Sequence, residues 1–431
     1  MSSPRAVLPL QRPPDVVVDI PGSKSHTNRA LICAALGDGR SQLGRVLFAD
    51  DTEAMLGALG ALGVQLSIDT ERATVSVNGG LNPVGDRPIE VDARQSGTTS
   101  RFLLPLLAAT PGRFVLDGHP QMRARPFGPQ LDALRSLGAT IDGDRLPMHI
   151  TGAELRGGTV SVPSSMSSQF LSGLLLGAPC HRSTTTFQVD RTLVSRPYID
   201  LTVTTMATFG VDVAVEEHPA ADGESDPPGL RLTVAPGRYR AADLQLEPDA
   251  SAASYFFAAA AITGGRVRVD GLGRDTVQGD LGFVDLLARM GADVTVGADY
   301  TEVRGSGTLT GITADMADVS DTAQTLAVVA AFADSPTEIT GIGFIRHKET
   351  DRIAAVVTEM NRLGIDASAT GDGWVIRPGT PVPAIVDTYD DHRMAMSFAL
   401  FGLRHPGIEI DNPGCVSKTF PHFFDVLDRL R

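Results

Sequence analysis

Six times along its 431 residues the chain opens a segment with small hydroxyl or acidic residues and then runs into a stretch of apolar ones. The copies begin at Ser23, Ser96, Ser164, Asp249, Asp321 and Asp391, a period of roughly 70 to 80 residues. SGTTSRFLLPLLAA (Ser96 to Ala109) and DASAASYFFAAAAI (Asp249 to Ile262) show the pattern well. Such a period is longer than common solenoid units, so each copy is a larger module of helix and strand. A second element keeps the same spacing, an amphipathic helix closed by glycine and followed by a strand, as in Leu56–Ile68 and Leu131–Ile141, and again around Gly210, Gly291 and Gly364. Glycine suits a helix end because the left-handed residue past the last turn carries no side-chain clash there. The sixth copy, Phe423–Arg431, lacks its glycine and strand. The β-branched run Asp15–Ile20, which has no helix of its own, is predicted to supply that strand by pairing back onto the last unit.

A chain of this length exceeds the size at which one core stops growing, and 42% hydrophobic residues can fill two. The longest spacing separates the third and fourth copies, where His218–Gly229 is acidic and rich in turn residues and reads as a surface loop. Two similar α/β domains follow, residues 21–245 and residues 1–20 with 246–431, three repeats in each, with a crossover near Leu246. Three widely spaced cysteines, Cys33, Cys180 and Cys415, suggest neither a disulfide framework nor zinc, and point to a reducing cytoplasm. The N-terminus is broken by prolines, and no apolar run reaches the ~18 residues of a membrane span. A net charge of −14 argues against a general nucleic-acid surface, so any anion site is local.

Ser, Thr and Asp at helix starts are ordinary N-caps when met singly. Six of them in equivalent places offer six sets of unbonded N–H groups at the positive ends of helix dipoles, which suits anions. Basic residues are added to these starts, Lys24, Arg29, Arg101 and Arg393, and to the short motifs QMRARP (Gln121–Pro126), VSRPY (Val194–Tyr198), IRHKETDR (Ile345–Arg352) and CVSKTFP (Cys415–Pro421). Charge runs usually form solvated faces. Here Pro, Ser and aromatic residues interleave with the charges on loops, a composition more typical of a site.

At PGSKSHTNR (Pro21–Arg29), SGTTSR (Ser96–Arg101), HKETDR (His347–Arg352), YDDHRMAM (Tyr389–Met396) and SKTFP (Ser417–Pro421) the sequence resembles the 5-enolpyruvylshikimate-3-phosphate synthase family of enolpyruvyl transferases, nearly end to end. The resemblance implies two inside-out α/β domains, each of three βαβαββ units, linked by two crossovers with a cleft between. It implies addition of the 5-hydroxyl of shikimate 3-phosphate to C2 of phosphoenolpyruvate, protonation at C3, and loss of phosphate from a tetrahedral intermediate. Asp321 and Glu349 resemble the family's acid and base, in either order, with Lys24 sharing the proton transfer. Read without the resemblance, Asp321 is an N-cap and Glu349 a first-turn acid. For phosphoenolpyruvate the resemblance carries Lys24, Gly97, Arg125, Gln169, Lys348, Arg352, Arg393 and Lys418. For shikimate 3-phosphate it carries Ser25, Arg29, Ser167, Ser168, Gln169, Ser195, Tyr198, Asp321 and Lys348. It brings no cofactor and no metal, a monomer, and glyphosate as inhibitor, since Gly97 has no side chain to crowd the phosphoenolpyruvate pocket.

Gln95 and Phe344 stand where many relatives place Asn, which removes the polar contact expected there. Enolpyruvyl transfer to a UDP-sugar is the nearest rival. Arg29 supplies a phosphate partner that a UDP-sugar does not need, and the loop cysteine of that family has no equivalent. A phosphate-loop kinase is excluded because Val18 occupies the position of the motif's first glycine. A non-catalytic anion-binding module is opposed by Asp321 and Glu349. His26, His347 and His392 lack metal-ligand clustering, Cys415 reads as a small buried residue, and Trp374 is isolated.

Overall fold

The computed structural model describes residues 3–81, 87–163, 167–189, 193–218 and 229–431. The predicted repeat start at Ser164 and the predicted loop after His218 lie outside them. The chain divides into two compact units: an inserted unit, Gly22–Leu246, and a split unit, Met1–Pro21 with Glu247–Arg431.

Each repeat contributes one lead helix. In the inserted unit these are Lys24–Leu36, Gly97–Ala109 and Ser168–Gly177; in the split unit, Ala250–Thr263, Ala323–Ala330 and His392–Gly402. Four begin at the residues the sequence marks, Ser23, Ser96, Asp249 and Asp391, and the third is capped by Ser167, three residues past the expected Ser164. The side chains of Ser23, Ser96, Ser167, Asp249 and Asp391 accept hydrogen bonds from N–H groups two or three residues on. The fifth repeat differs, because a 3-10 turn, Ser320–Thr322, precedes its helix and no side chain caps it. Every residue of Gly97–Ala109, Ala323–Ala330 and His392–Gly402 is buried, as expected of helices apolar on all sides. Each Leu or Phe so buried contributes roughly 1.5–3 kcal/mol. The lead helices of repeats 2 and 3 approach so closely that a Cβ on Gly173 would lie 2.3 Å from the Arg101 carbonyl oxygen.

Five repeats carry a four-stranded sheet with a parallel first pair, as in Ile89–Asp92 beside Gly112–Asp117, followed by two antiparallel strands. Along Thr74–Asn78 the side chains of Val75 and Val77 are buried while Thr74 and Ser76 face outward, the alternation of a sheet with one covered face. The glycines closing the second helix of repeats 1 to 5 all adopt the left-handed region, with φ from 77° to 108°.

The N-terminal segment corrects one expectation. Asp15–Val17 pairs parallel with Arg266–Asp270 in the fourth repeat, and Arg5–Val7 is the strand that completes the last one, antiparallel to Ile408–Ile410. The reason is an exchange. Leu244–Gln245, which precedes the fourth lead helix in sequence, pairs parallel with Arg40–Gly44 of the first repeat. That leaves the parallel position beside Arg266–Asp270 to Asp15–Val17. The sixth sheet has three strands, Ala384–Val386, Ile408–Ile410 and Arg5–Val7.

Candidate active site

In the inserted unit, Lys24 opens the first lead helix with Nζ 3.6 Å from Oδ2 of Asp51, a buried acid in the first turn of the helix Asp50–Ala61. One turn along, Arg29 is only 2% exposed. Its Nε donates to Thr202 Oγ1 (2.8 Å), Nη1 to the Ser25 carbonyl (2.8 Å), and Nη2 to Ser172 Oγ (3.1 Å) and the Tyr198 carbonyl (3.0 Å). The guanidinium lies 4.9 Å from the Phe102 ring centroid and 5.9 Å from that of Tyr198. These partners are all neutral. Burial lowers the Arg29 pKa to about 10, so it stays charged at neutral pH, and its charge is left for an anion. Ser195 precedes the helix Arg196–Thr208 in the left-handed region (φ 57°, ψ 46°), and its carbonyl accepts from the Tyr198 amide at 3.1 Å. A left-handed residue other than glycine costs about 1–3 kcal/mol and persists where its surroundings impose it.

Gly97 is the first residue of the second lead helix. A Cβ placed there would lie 2.9 Å from Arg125 Nη1, 3.4 Å from Gln169 Oε1 and 3.6 Å from Arg101 Nη1, so these groups line one small space. Gln169 ties it together, accepting from Arg101 Nη1 at 2.6 Å and donating to Thr98 Oγ1 at 3.3 Å. Ser167 caps the third lead helix through the Gln169 amide, and Ser168 is its buried first residue. Gln95 lines a separate recess of the second repeat with Asp92, Asp117, His119 and Arg123.

In the split unit the six candidate residues meet around one guanidinium. Arg352, 1% exposed, donates from Nε to Asp391 Oδ2 (2.8 Å) and from Nη2 to Asp391 Oδ1 (3.2 Å) and Glu349 Oε2 (2.8 Å); Nη1 reaches Asp321 Oδ1 at 3.5 Å. Burial works against its charge, but Asp391, Glu349 and Asp321 more than offset that and hold the guanidinium charged. Arg393 Nη2 donates to Asp321 Oδ2 at 2.6 Å, and its Nη1 approaches the Tyr255 hydroxyl at 3.4 Å. Lys348 Nζ lies 3.9 Å from Asp321 Oδ1, and Lys418 Nζ 4.0 Å from Glu349 Oε1. Through these contacts four cations, Lys348, Arg352, Arg393 and Lys418, meet three carboxylates, Asp321, Glu349 and Asp391. Phe344 places its ring 5.8 Å below the Lys348 ammonium, replacing a polar contact with a cation–π one.

The bland readings of the two acids do not describe this geometry. Asp321 lies in the 3-10 turn with no capping bond to the following helix, and Glu349 precedes Asp351, the residue that caps Arg352–Arg362. Sequence reasoning missed Asp51 as the partner of Lys24 and took Asp391 as a cap alone. Each is a single carboxylate whose partner lies well over 20 residues away, so no local motif announces it.

Helix starts bearing hydroxyls and arginines in the inserted unit, and a buried carboxylate–guanidinium cluster in the split unit, suit a class of α/β transferases that handle phosphorylated anions. The EPSP synthase (3-phosphoshikimate 1-carboxyvinyltransferase) family matches residues 13–427. The chain belongs to that family. It is 44% identical to the 3-phosphoshikimate 1-carboxyvinyltransferase of a Nostoc species over 97% of each chain, and 44% identical to that of Shewanella amazonensis over 95% of each. Among solved structures, an EPSP synthase from Acinetobacter baumannii superimposes with TM-score 0.80 at 26% identity, covering 100% of this chain and 98% of that one. The enolpyruvyl transferase NikO of Streptomyces tendae shares the fold at TM-score 0.76 and 20% identity. Among the described residues no helix is long and apolar enough to cross a membrane.

Proposed function

We infer that the chain transfers the enolpyruvyl group of phosphoenolpyruvate to the 5-hydroxyl of shikimate 3-phosphate and releases phosphate. The observation that carries this reading is the cluster on Arg352, which presents two further carboxylates, Asp321 and Glu349, beside Lys348, Arg393 and Lys418. Addition and elimination each need a proton moved on and a proton moved off, work that two carboxylates among cations can do. Asp321 and Glu349 fill those roles, with Lys24 sharing the transfer. The reacting carbon chain brings a carboxylate and a phosphate. Arg125, Arg352 and Arg393 grip such groups through forked N–H pairs, while Lys24, Lys348 and Lys418 act as point charges. Gly97 and Gln169 line the space beside Arg125 in the inserted unit.

For shikimate 3-phosphate the proposed set is Ser25, Arg29, Ser167, Ser168, Gln169, Ser195 and Tyr198, joined by Asp321 and Lys348. The buried charge of Arg29 among neutral partners supports this assignment, because a phosphate supplies the anion it lacks. Glyphosate is proposed to compete with phosphoenolpyruvate, since nothing projects from Gly97 into the space beside Arg125. The test is phosphate release on mixing the protein with phosphoenolpyruvate and either shikimate 3-phosphate or UDP-N-acetylglucosamine. Release is expected only with shikimate 3-phosphate. Release only with the sugar nucleotide, or with neither, overturns the reading.

A further inference from the structure

Arg352 and Glu359 stand seven residues apart on the helix Arg352–Arg362, two turns along the same face. Both reach one loop, Asp387–Asp391. Glu359 is fully buried; its Oε2 accepts the Asp387 amide at 3.0 Å and its Oε1 accepts the Tyr389 hydroxyl at 2.8 Å. The loop is strained. Tyr389 and Asp390 occupy the left-handed region in succession, with φ of 54° and 55°, and a bulky residue such as tyrosine is rarely found there. Such a conformation persists only where its surroundings fix it. The ties here are Glu359 from the helix, Asn412 Nδ2 on Asp390 Oδ1 at 3.1 Å, and the bond from the Tyr389 amide to Asp387 Oδ1 at 2.8 Å. The loop ends at Asp391, whose carboxylate takes two N–H donors of Arg352 and the backbone amide of Arg393.

We propose that Glu359 is a positioning residue for phosphoenolpyruvate: it holds Asp387–Asp391 in its strained form, so that Asp391 keeps Arg352 and Arg393 in register. The helix is thereby tied to the loop at both ends, by Arg352 at one and Glu359 at the other. Arg362 Nε, 3.3 Å from Glu359 Oε2, supplies the balancing charge at the far end. The inference rests on the assignment of Arg352 and Arg393 to phosphoenolpyruvate.

The experiment compares E359Q and Y389F with the parent chain by two readouts. The first is hydrogen exchange at the Arg393 amide without substrate; the second is the pair of KM values from phosphate release. Glutamine keeps the size of Glu359 but sets an NH2 against one of the two donors. In E359Q the Arg393 amide should exchange about tenfold faster and KM for phosphoenolpyruvate should rise about tenfold, with kcat and KM for shikimate 3-phosphate within about twofold. Y389F, which keeps the bond to Asp387, should shift both readouts less and in the same direction. A lowered thermal midpoint with unchanged exchange and an unchanged ratio of the two KM values would show a merely structural residue and overturn the proposal. If E359Q does not fold, Y389F decides by the same two readouts. A parent chain without activity defeats the reaction assignment instead, and the exchange readout still tests the hold on the loop.

Discussion

Replacing Gly97 with alanine tests the geometry of the proposed phosphoenolpyruvate pocket with one methyl group. The new Cβ would lie 2.9 Å from Arg125 Nη1, and ordinary contact starts at 3.4 Å, so the guanidinium must retreat by the difference, about 0.5 Å. Because the crowded atom is the tip of a long side chain, the retreat costs the fold little. Alanine also suits a helix better than glycine, by up to about 0.5–1 kcal/mol in a helix interior and less at a first position. The thermal midpoint should therefore hold or rise slightly. Binding fares differently. A displacement of 1 Å in a positioned group can cost about 100-fold, so half that distance should cost about tenfold. Phosphate-release kinetics should show KM for phosphoenolpyruvate up about tenfold, KM for shikimate 3-phosphate nearly unchanged, and inhibition by glyphosate weakened at least as much. A KM for phosphoenolpyruvate within twofold of the parent would refute the claim that Gly97 and Arg125 share one pocket.

Asp321→Asn keeps the shape of the side chain but removes the anion between Arg352, Arg393 and Lys348; kcat should fall about 10²–10⁴-fold while KM for phosphoenolpyruvate does not rise, as steady-state kinetics will show. Burial, aided by Arg29, lowers the His26 pKa from 6.5 to about 4, and burial alone does the same for His181. The unfolded chain binds protons that the folded one refuses between those values, so stability is full above about pH 6.5 and declines as pH falls towards 4, by up to about 3 kcal/mol per histidine. Urea midpoints should fall between pH 7 and 5, and fall less in a H26Q/H181Q variant. Burial raises all three thiols, Cys180 to about 11 and Cys415 to about 12, so the folded enzyme at pH 8 should resist iodoacetamide until denatured; labelling of Cys415 with loss of activity would contradict this.

The repeats were legible because each lead helix is buried on most sides and therefore reads as an unbroken apolar run behind a capping residue. The glycine-closed helices were legible for a local reason too, since a left-handed end leaves few alternatives to glycine. Strand partnership was not. Arg5–Val7 and Asp15–Val17 are three-residue segments with similar content, and nothing in either specifies whether its neighbour is Ile408–Ile410 or Arg266–Asp270. Which strand fills a position depends on which position the exchange with Leu244–Gln245 leaves open, a property of the whole topology. The site divides in the same way. Cationic residues in short motifs announced themselves, whereas Asp51, Asp391 and Glu359 gain meaning only from the lysine, arginines and loop that folding sets against them.

The pairing of Arg5–Val7 with Ile408–Ile410 also fixes an order of events during synthesis. Arg5–Val7 leaves the ribosome about 400 residues before Ile408–Ile410, its sheet partner among the described residues. At roughly 5–20 residues per second that is a wait on the order of 20–80 s, during which the inserted unit, contiguous from Gly22 to Leu246, is made in full. Arg5–Val7 spends that interval as an unpaired strand, and Asp15–Val17 the shorter one until Arg266–Asp270 is made, both open to pairing with other chains. Both are only three residues long, and Arg5 and Asp15 each carry a charge that opposes such pairing. The shortness that hid their partners from the sequence is what keeps them safe until those partners exist.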